Sequence, residues 1–207
     1  MSKLVVSSLV GIGGAAGIGG GIYWMYGNSK APSKTEIKTI QSRLEKAGFD
    51  ILDTNGSSHW SDLKTQYNNA KQTAYKIFGT GNRDITEDEL KSLCKDALKK
   101  GEDDSSYEKA KRWCVVPVSI AAHISKLGFT PISTEKSGNT QQEKWTELAS
   151  KYGTGENKIK DVNTLSGSNT WETLRDKCKE IGDKKNYDDD FDSHLLSSQS
   201  WCSTKNQ

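Results

Sequence analysis

The chain has 207 residues, of which 33% are apolar, with 29 basic and 27 acidic side chains. Lys3 and Lys30 are the only charged residues among the first thirty, so the 27 basic residues beyond them meet 27 acidic ones and that part carries no net charge. Nucleic-acid binders need a basic surplus to release counterions from phosphates, which argues against DNA or RNA as a partner. So few apolar residues make only small cores, which need added stabilisation.

Residues 1–30 form the first expected unit. No charge interrupts Leu4 to Ser29, a run long enough for a helix across a hydrocarbon core of ~30 Å. It ends in Tyr23, Trp24 and Tyr26, rings that favour the headgroup level, so residues 4–26 are expected to meet the membrane as a retained anchor. A cleaved signal peptide is the rival, with Lys3 as its basic start, Leu4 to Val10 as its apolar core and Ala15 and Ala16 as small residues near a cut. A lipid-bearing signal needs a cysteine directly after that core, and the first cysteine is Cys94. Gly11, Gly13 and Ala16 with Glu36 match a dinucleotide fingerprint. Its context fails, because Gly19, Gly20 and Gly21 lead into aromatics and a lysine instead of an amphipathic helix and a second strand. Gly13, Gly17 and Gly21 would let two anchor helices associate weakly.

Beyond the anchor the apolar residues recur at helical spacing. Ser33 with Glu36 makes a capping box before Ile37, Ile40, Leu44 and Ala47, and Gly48 ends that helix. A second stripe runs Trp60, Leu63, Tyr67, Ala70 and Ala74. A third begins at Thr86 with Glu89 and carries Leu90, Leu93, Cys94, Ala97 and Leu98 to Gly101. Thr140 with Glu143 precedes Trp145, Leu148 and Tyr152, and Ser168 precedes Trp171, Leu174, Cys178 and Ile181, closed by Gly182. No stretch alternates for long with the period of a strand.

These stripes are two copies of one pattern. Lys46-Ala47-Gly48-Phe49 recurs as Lys126-Leu127-Gly128-Phe129, with Ile40 and Leu44 answered by Ile120 and Ile124. Trp60, Leu63 and Tyr67 are answered by Trp145, Leu148 and Tyr152; Leu90, Cys94 and Lys95 by Leu174, Cys178 and Lys179; Trp113-Cys114 by Trp201-Cys202. The offsets are 80, 85, 84 and 88 residues, so small loop insertions separate the copies. Gly79-Thr80-Gly81 and Gly153-Thr154-Gly155 look alike but fall out of register, and this match is taken as loop composition. The expected fold is all-α: an N-terminal hydrophobic helix, then two tandem small helical-bundle modules over 31–116 and 117–207, each of about three helices and a tail.

Four cysteines allow three pairings. A module that folds as a unit closes its own bridge, which predicts Cys94 with Cys114 and Cys178 with Cys202 as structural disulfides. Zinc is disfavoured because there is no CxxC and because His59, His123 and His194 do not recur in the duplication. Catalytic thiols are disfavoured because a reactive cysteine has no reason to occur four times at structural positions. Disulfides place the modules outside the cytosol. The lysines and arginine after the anchor, Lys30, Lys34, Lys38, Arg43 and Lys46, favour the opposite orientation; the cysteines are given more weight.

Asp161, Asn163 and Glu172 match part of a calcium loop, yet Leu165 and Ser166 stand where a ligand and the turn glycine belong. The acidic run Asp188, Asp189, Asp190 and Asp192 is expected to be a solvated face. There is no G-x-S-x-G, H-E-x-x-H or phosphate-binding loop, and neither a metal nor a cofactor is implied. Trp60 and Trp145 open helical stripes and are expected in the core.

The opening MSKL, the Gly/Ala-rich segment ending in tyrosine and tryptophan, the W-x2-L-x3-Y and L-x3-C-K helices and the W-C pair resemble paralogous families of short membrane-anchored proteins of haemotropic mycoplasmas. That resemblance implies a surface-exposed, antigenically variable protein and carries no catalytic or binding residue. The expected function is a non-enzymatic surface protein that faces a host cell or antibodies. The alternatives are an envelope hydrolase or nuclease using carboxylates such as Asp103, Asp104, Asp189 and Asp190, or a solute-capturing partner of a transporter.

Overall fold

The computed structural model describes residues 38–138 and 141–206. The expected anchor, the Ser33 and Glu36 box and Thr140 lie outside them. Within this range the protein is mostly helical, and Ile37–Gln207 form one compact unit.

Helix α1 spans Ile40–Lys46. Its N-cap is Thr39: the Thr39 hydroxyl accepts from the Ser42 amide at 3.2 Å, and the Ser42 hydroxyl accepts from the Thr39 amide at 3.0 Å. This reciprocal pair satisfies free donors at the helix start. At the other end Gly48 adopts φ +82°, and the Phe49 and Gly48 amides donate to the Leu44 and Glu45 carbonyls, both at 3.0 Å. The left-handed turn needs glycine, and its bonds use up otherwise orphaned carbonyls.

Helices α2 (His59–Asn69), α3 (Glu87–Leu98) and α4 (Tyr107–Trp113) complete the first half. The Thr86 box with Glu89 forms as the sequence indicates. The second half holds α5 (Ile120–Lys126), α6 (Gln142–Tyr152), α7 (Thr170–Gly182) and α8 (Phe191–Trp201). The expected tails are therefore helices α4 and α8. Strands β1 (Phe129–Pro131) and β2 (Ser203–Lys205) pair antiparallel in the second half. They are three residues each, too short to leave an alternating pattern in the sequence, and the fold remains helical as expected.

The backbone repeats itself along with the sequence. Ile40 donates to the Lys100 carbonyl and Ile120 to that of Lys184, both at 2.9 Å. Leu52 donates to the Cys114 carbonyl at 3.0 Å and Ile132 to that of Cys202 at 2.9 Å. Single antiparallel bridges join Thr39 to Gly101 and Ser119 to Lys185, while Ile51 faces Val115 as Pro131 faces Ser203.

The cores do not divide where the copies do. One gathers the apolar residues of the first half together with Ile120, Ile124 and Phe191; the other holds Ile132, Trp145, Tyr152, Leu174, Ile181 and Trp201. Phe49 stacks on His123 with ring centroids 4.1 Å apart. Trp113 lies parallel to Tyr187 at 6.3 Å. Asn186, 2% exposed, donates to the Lys111 and Arg112 carbonyls at 2.9 and 3.1 Å and accepts from the Val118 amide at 2.9 Å. Replacing Asn186 with alanine strands these groups in a dry site, where each lost bond counts for more than in water. Asn186→Ala is expected to cost roughly 2 kcal/mol in urea unfolding, with loss of stability across both halves in one transition. An unchanged midpoint would show that Asn186 does not couple them.

Candidate functional site

Every rare residue of the duplication has a structural position. Cys94 is bonded to Cys114 and Cys178 to Cys202, closing loops of 20 and 24 residues. Each bridge ties the end of the fourth helix of its half to the third. Trp60 and Trp145 are 1% and 0% exposed. Their indole N–H groups donate to the Asp53 and Ser133 carbonyls at 2.7 and 3.1 Å, so they are core residues with a satisfied polar edge. Tyr67 and Tyr152 likewise send their hydroxyls to the Phe78 and Val162 carbonyls, and burial pushes both phenols above their ordinary pKa. Trp113 packs edge-on against Tyr67 with centroids at 5.2 Å, and Trp201 meets Tyr152 at 4.8 Å.

The two Gly-Thr-Gly loops, alike in sequence, do different things. Thr80 places its hydroxyl 3.1 Å from that of Tyr67. Gly155 lies flat against Trp201, where a Cβ would fall 2.2 Å from the ring.

The acidic run lies against cations. Asp189 pairs with Lys76 at 2.6 Å and Arg112 at 3.6 Å, Asp190 with Lys160 at 2.7 Å, and Asp192 with Lys111 at 2.7 Å. Asp188 instead accepts from the Lys185 amide at 2.7 Å. Lys111 is 10% exposed in its side chain; burial works against its charge, and hydrogen bonds to Asp192 and Glu108 overcome that and raise its pKa. The hydrogen bond from Lys160 holds Asp190 below the usual carboxylate range. Asp103 stands in solvent 3.8 Å from Arg43, and Asp104 caps the Ser106 amide at 2.8 Å. Of the calcium-like trio, Asp161 takes a left-handed φ of 63° and Glu172 accepts from the Asn169 side chain at 3.3 Å. Among the described residues no group of three or more His, Cys, Asp and Glu side chains is placed to hold a metal ion.

His123 and His194 are 1% and 9% exposed, and the Nδ1 atom of each lacks a partner. Desolvation, helped by Lys126, lowers His123 to about 4, and desolvation also lowers His194. Among the described cavities, one of about 270 Å³ opens between α5, β1, α7 and α8, beside the Cys178–Cys202 bridge. The sequence marks the bridge but not the cavity.

No protein-family model, no curated protein and no solved structure matches the chain. The structure defines a mostly helical, disulfide-bonded protein. Among the described residues no helix is long and apolar enough to cross a membrane, and residues 4–26 lie outside those described.

Two outcomes test this assignment of parts. Replacing either cysteine pair with alanine is expected to lower stability by about 3 kcal/mol for loops of this length, measured by denaturant unfolding of the oxidised protein. A loss below ~0.5 kcal/mol would remove the bridges from their stabilising role. The histidines act through pH. An unfolded histidine takes up its proton near 6.5, whereas folded His123 does so only at about 4. Between these values the unfolded state binds more protons, so stability falls as pH is lowered through the window. His123→Phe keeps the stack on Phe49 and removes that share, so it is expected to lose less stability than the wild type between pH 7 and 5. Equal losses would show that His123 does not contribute.

Proposed function

We propose that this is a non-enzymatic, membrane-anchored surface protein. Residues 4–26 form its single-pass anchor helix, and two tandem disulfide-closed modules, 31–116 and 117–207, stand outside the cell facing a host surface or antibodies. The observation that carries this reading is the pair of disulfides at equivalent positions. Such bridges persist where the medium is oxidising and serve domains whose cores are small.

The distribution of residue types supports the same reading. The paired tryptophans and cysteines build the frame, while most carboxylates and lysines sit on the surface, where ion pairs contribute little. Loops can then vary around fixed Trp and Cys positions, which suits a surface under antibody selection and the proposed kinship with the haemotropic mycoplasma families. Of the carboxylates considered for an envelope hydrolase, Asp104, Asp189 and Asp190 are engaged by Ser106, Lys76 and Lys160, while Asp103 stands in solvent. Small residues along the anchor leave room for weak association of two copies.

Protease shaving of intact cells tests the proposal. The expected result is a released fragment whose gel mobility changes on reduction, with no free thiol before it. A fragment protected until lysis, or one carrying free thiols, would overturn it.

A further inference from the structure

We propose that Asn55 is a site of spontaneous chemical modification, at which the Gly56 amide nitrogen attacks the side chain and water converts the residue to aspartate or isoaspartate. The proposal does not depend on where the protein resides. It rests on a loop of the first half in which the two reacting residues are the ones that nothing holds.

Asn55-Gly56 is the single Asn-Gly pair of the chain. It lies in the loop before α2, and both residues are exposed. The loop is pinned on either side of them. The Asp53 carbonyl accepts from the Trp60 indole at 2.7 Å, the Asp53 carboxylate accepts from the Asn55 amide at 2.9 Å, and the Ser57 hydroxyl accepts from the His59 amide at 3.2 Å. Among the described residues, neither the Asn55 side chain nor the Gly56 N–H has a hydrogen-bond partner. A Cβ at Gly56 would meet nothing within 4 Å, so no neighbour obstructs rotation about the pair.

These are the conditions the reaction needs. Asparagine is a thermolabile residue, and glycine has no side chain to keep its nitrogen away from the carbon it attacks. The Gly56 amide gives up its proton to solvent, and its nitrogen bonds to Asn55 Cγ. The Cγ–Nδ2 bond breaks, and Nδ2 takes up a proton and leaves as ammonia. Water then opens the cyclic imide. Cleavage of the new N–Cγ bond leaves aspartate; cleavage of the original peptide link leaves isoaspartate, with one more carbon in the main chain. Either product replaces a neutral amide with a carboxylate, and no oxidant or reductant takes part.

The second half shows that this turn accepts the charge. The offset that equates Gly48 with Gly128 equates Asn55 with Glu135. There the Ser133 carbonyl accepts from the Trp145 indole at 3.1 Å, and the Ser133 hydroxyl accepts from the Glu135 amide at 3.4 Å, as Asp53 does for Trp60 and Asn55. Glu135 is exposed. One copy therefore carries a carboxylate on this turn by coding, and the other acquires one with time.

The test incubates the full-length oxidised chain in detergent micelles in heavy-oxygen water, at neutral and at mildly alkaline pH, and maps its peptides by mass spectrometry after digestion in acid. Asn55 is expected to lose its amide and gain one heavy oxygen sooner than Asn68 and Asn186, whose side chains are held. Conversion is expected to be faster at the higher pH, since the attacking nitrogen must lose its proton. The folded chain should react within a few-fold of the rate of the reduced, denatured chain. Gly56 does not take a left-handed φ, so Gly56→Val fits the loop and should slow conversion at least severalfold, with an unshifted Trp60 indole resonance reporting the fold. If that variant misfolds, the comparison of folded with denatured wild type decides. An Asn55 that stays intact in the folded chain while the denatured chain converts, conversion no sooner than at Asn68 and Asn186, or an unchanged rate in folded Gly56→Val would each overturn the proposal.

Discussion

In each half a tryptophan followed by a cysteine ends the last helix, and the rest of the fold hangs from that pair. The cysteine sulfur is bonded to the third helix, while its carbonyl accepts from the Leu52 or Ile132 amide. The tryptophan ring packs on Tyr67 or Tyr152, and its indole N–H donates to carbonyls of the long loop, at Lys76 or at Glu156 and Asn157. Two adjacent residues therefore fix a helix, the strand-like segment after the first helix, and a loop. In a chain with so little apolar material, this concentration of contacts replaces a large core.

The two frames are not independent bodies. Ile120, Ile124 and Phe191 belong by sequence to the second copy and by packing to the first core. Asn186 and its neighbours do the joining. At the position equivalent to Asn186 the first copy has Glu102, which pairs with Lys38 at 3.2 Å on the surface. The two copies share one backbone geometry here and differ in the side chain, an outward ion pair in the first and an inward bridge in the second.

The rare residues made much of this legible. Trp and Cys recur in register, so they reveal the duplication, and the duplication selects the pairing that the bridges adopt. Helices α2, α3, α6 and α7 follow from wide apolar stripes with a tryptophan or leucine at each turn. Helices α4 and α8 are harder to read. The first buries only Ala110, Lys111 and Trp113, and the second follows an aspartate run in which Asp190 adopts a left-handed φ of 61°, so both resemble solvated loop. The cap of α1 at Thr39 escapes a sequence reading because Ser42 returns the hydrogen bond that a glutamate supplies in the usual box. The cavity beside the Cys178–Cys202 bridge leaves no pattern in the sequence, since its lining is gathered from residues spread between Ala121 and Cys202.

The bridges also determine how the chain answers to force. A protein tethered at one end and held at the other lengthens by releasing folded segments at about 3.5 Å per residue. Loops of 20 and 24 residues are closed by covalent bonds, which withholds roughly 70 and 85 Å of contour from any extension. Both closed loops include the whole fourth helix of their half, so even a stretched chain retains α4 and α8 near their partners. Under load, the segments free to yield are those that lack a tryptophan–cysteine pair.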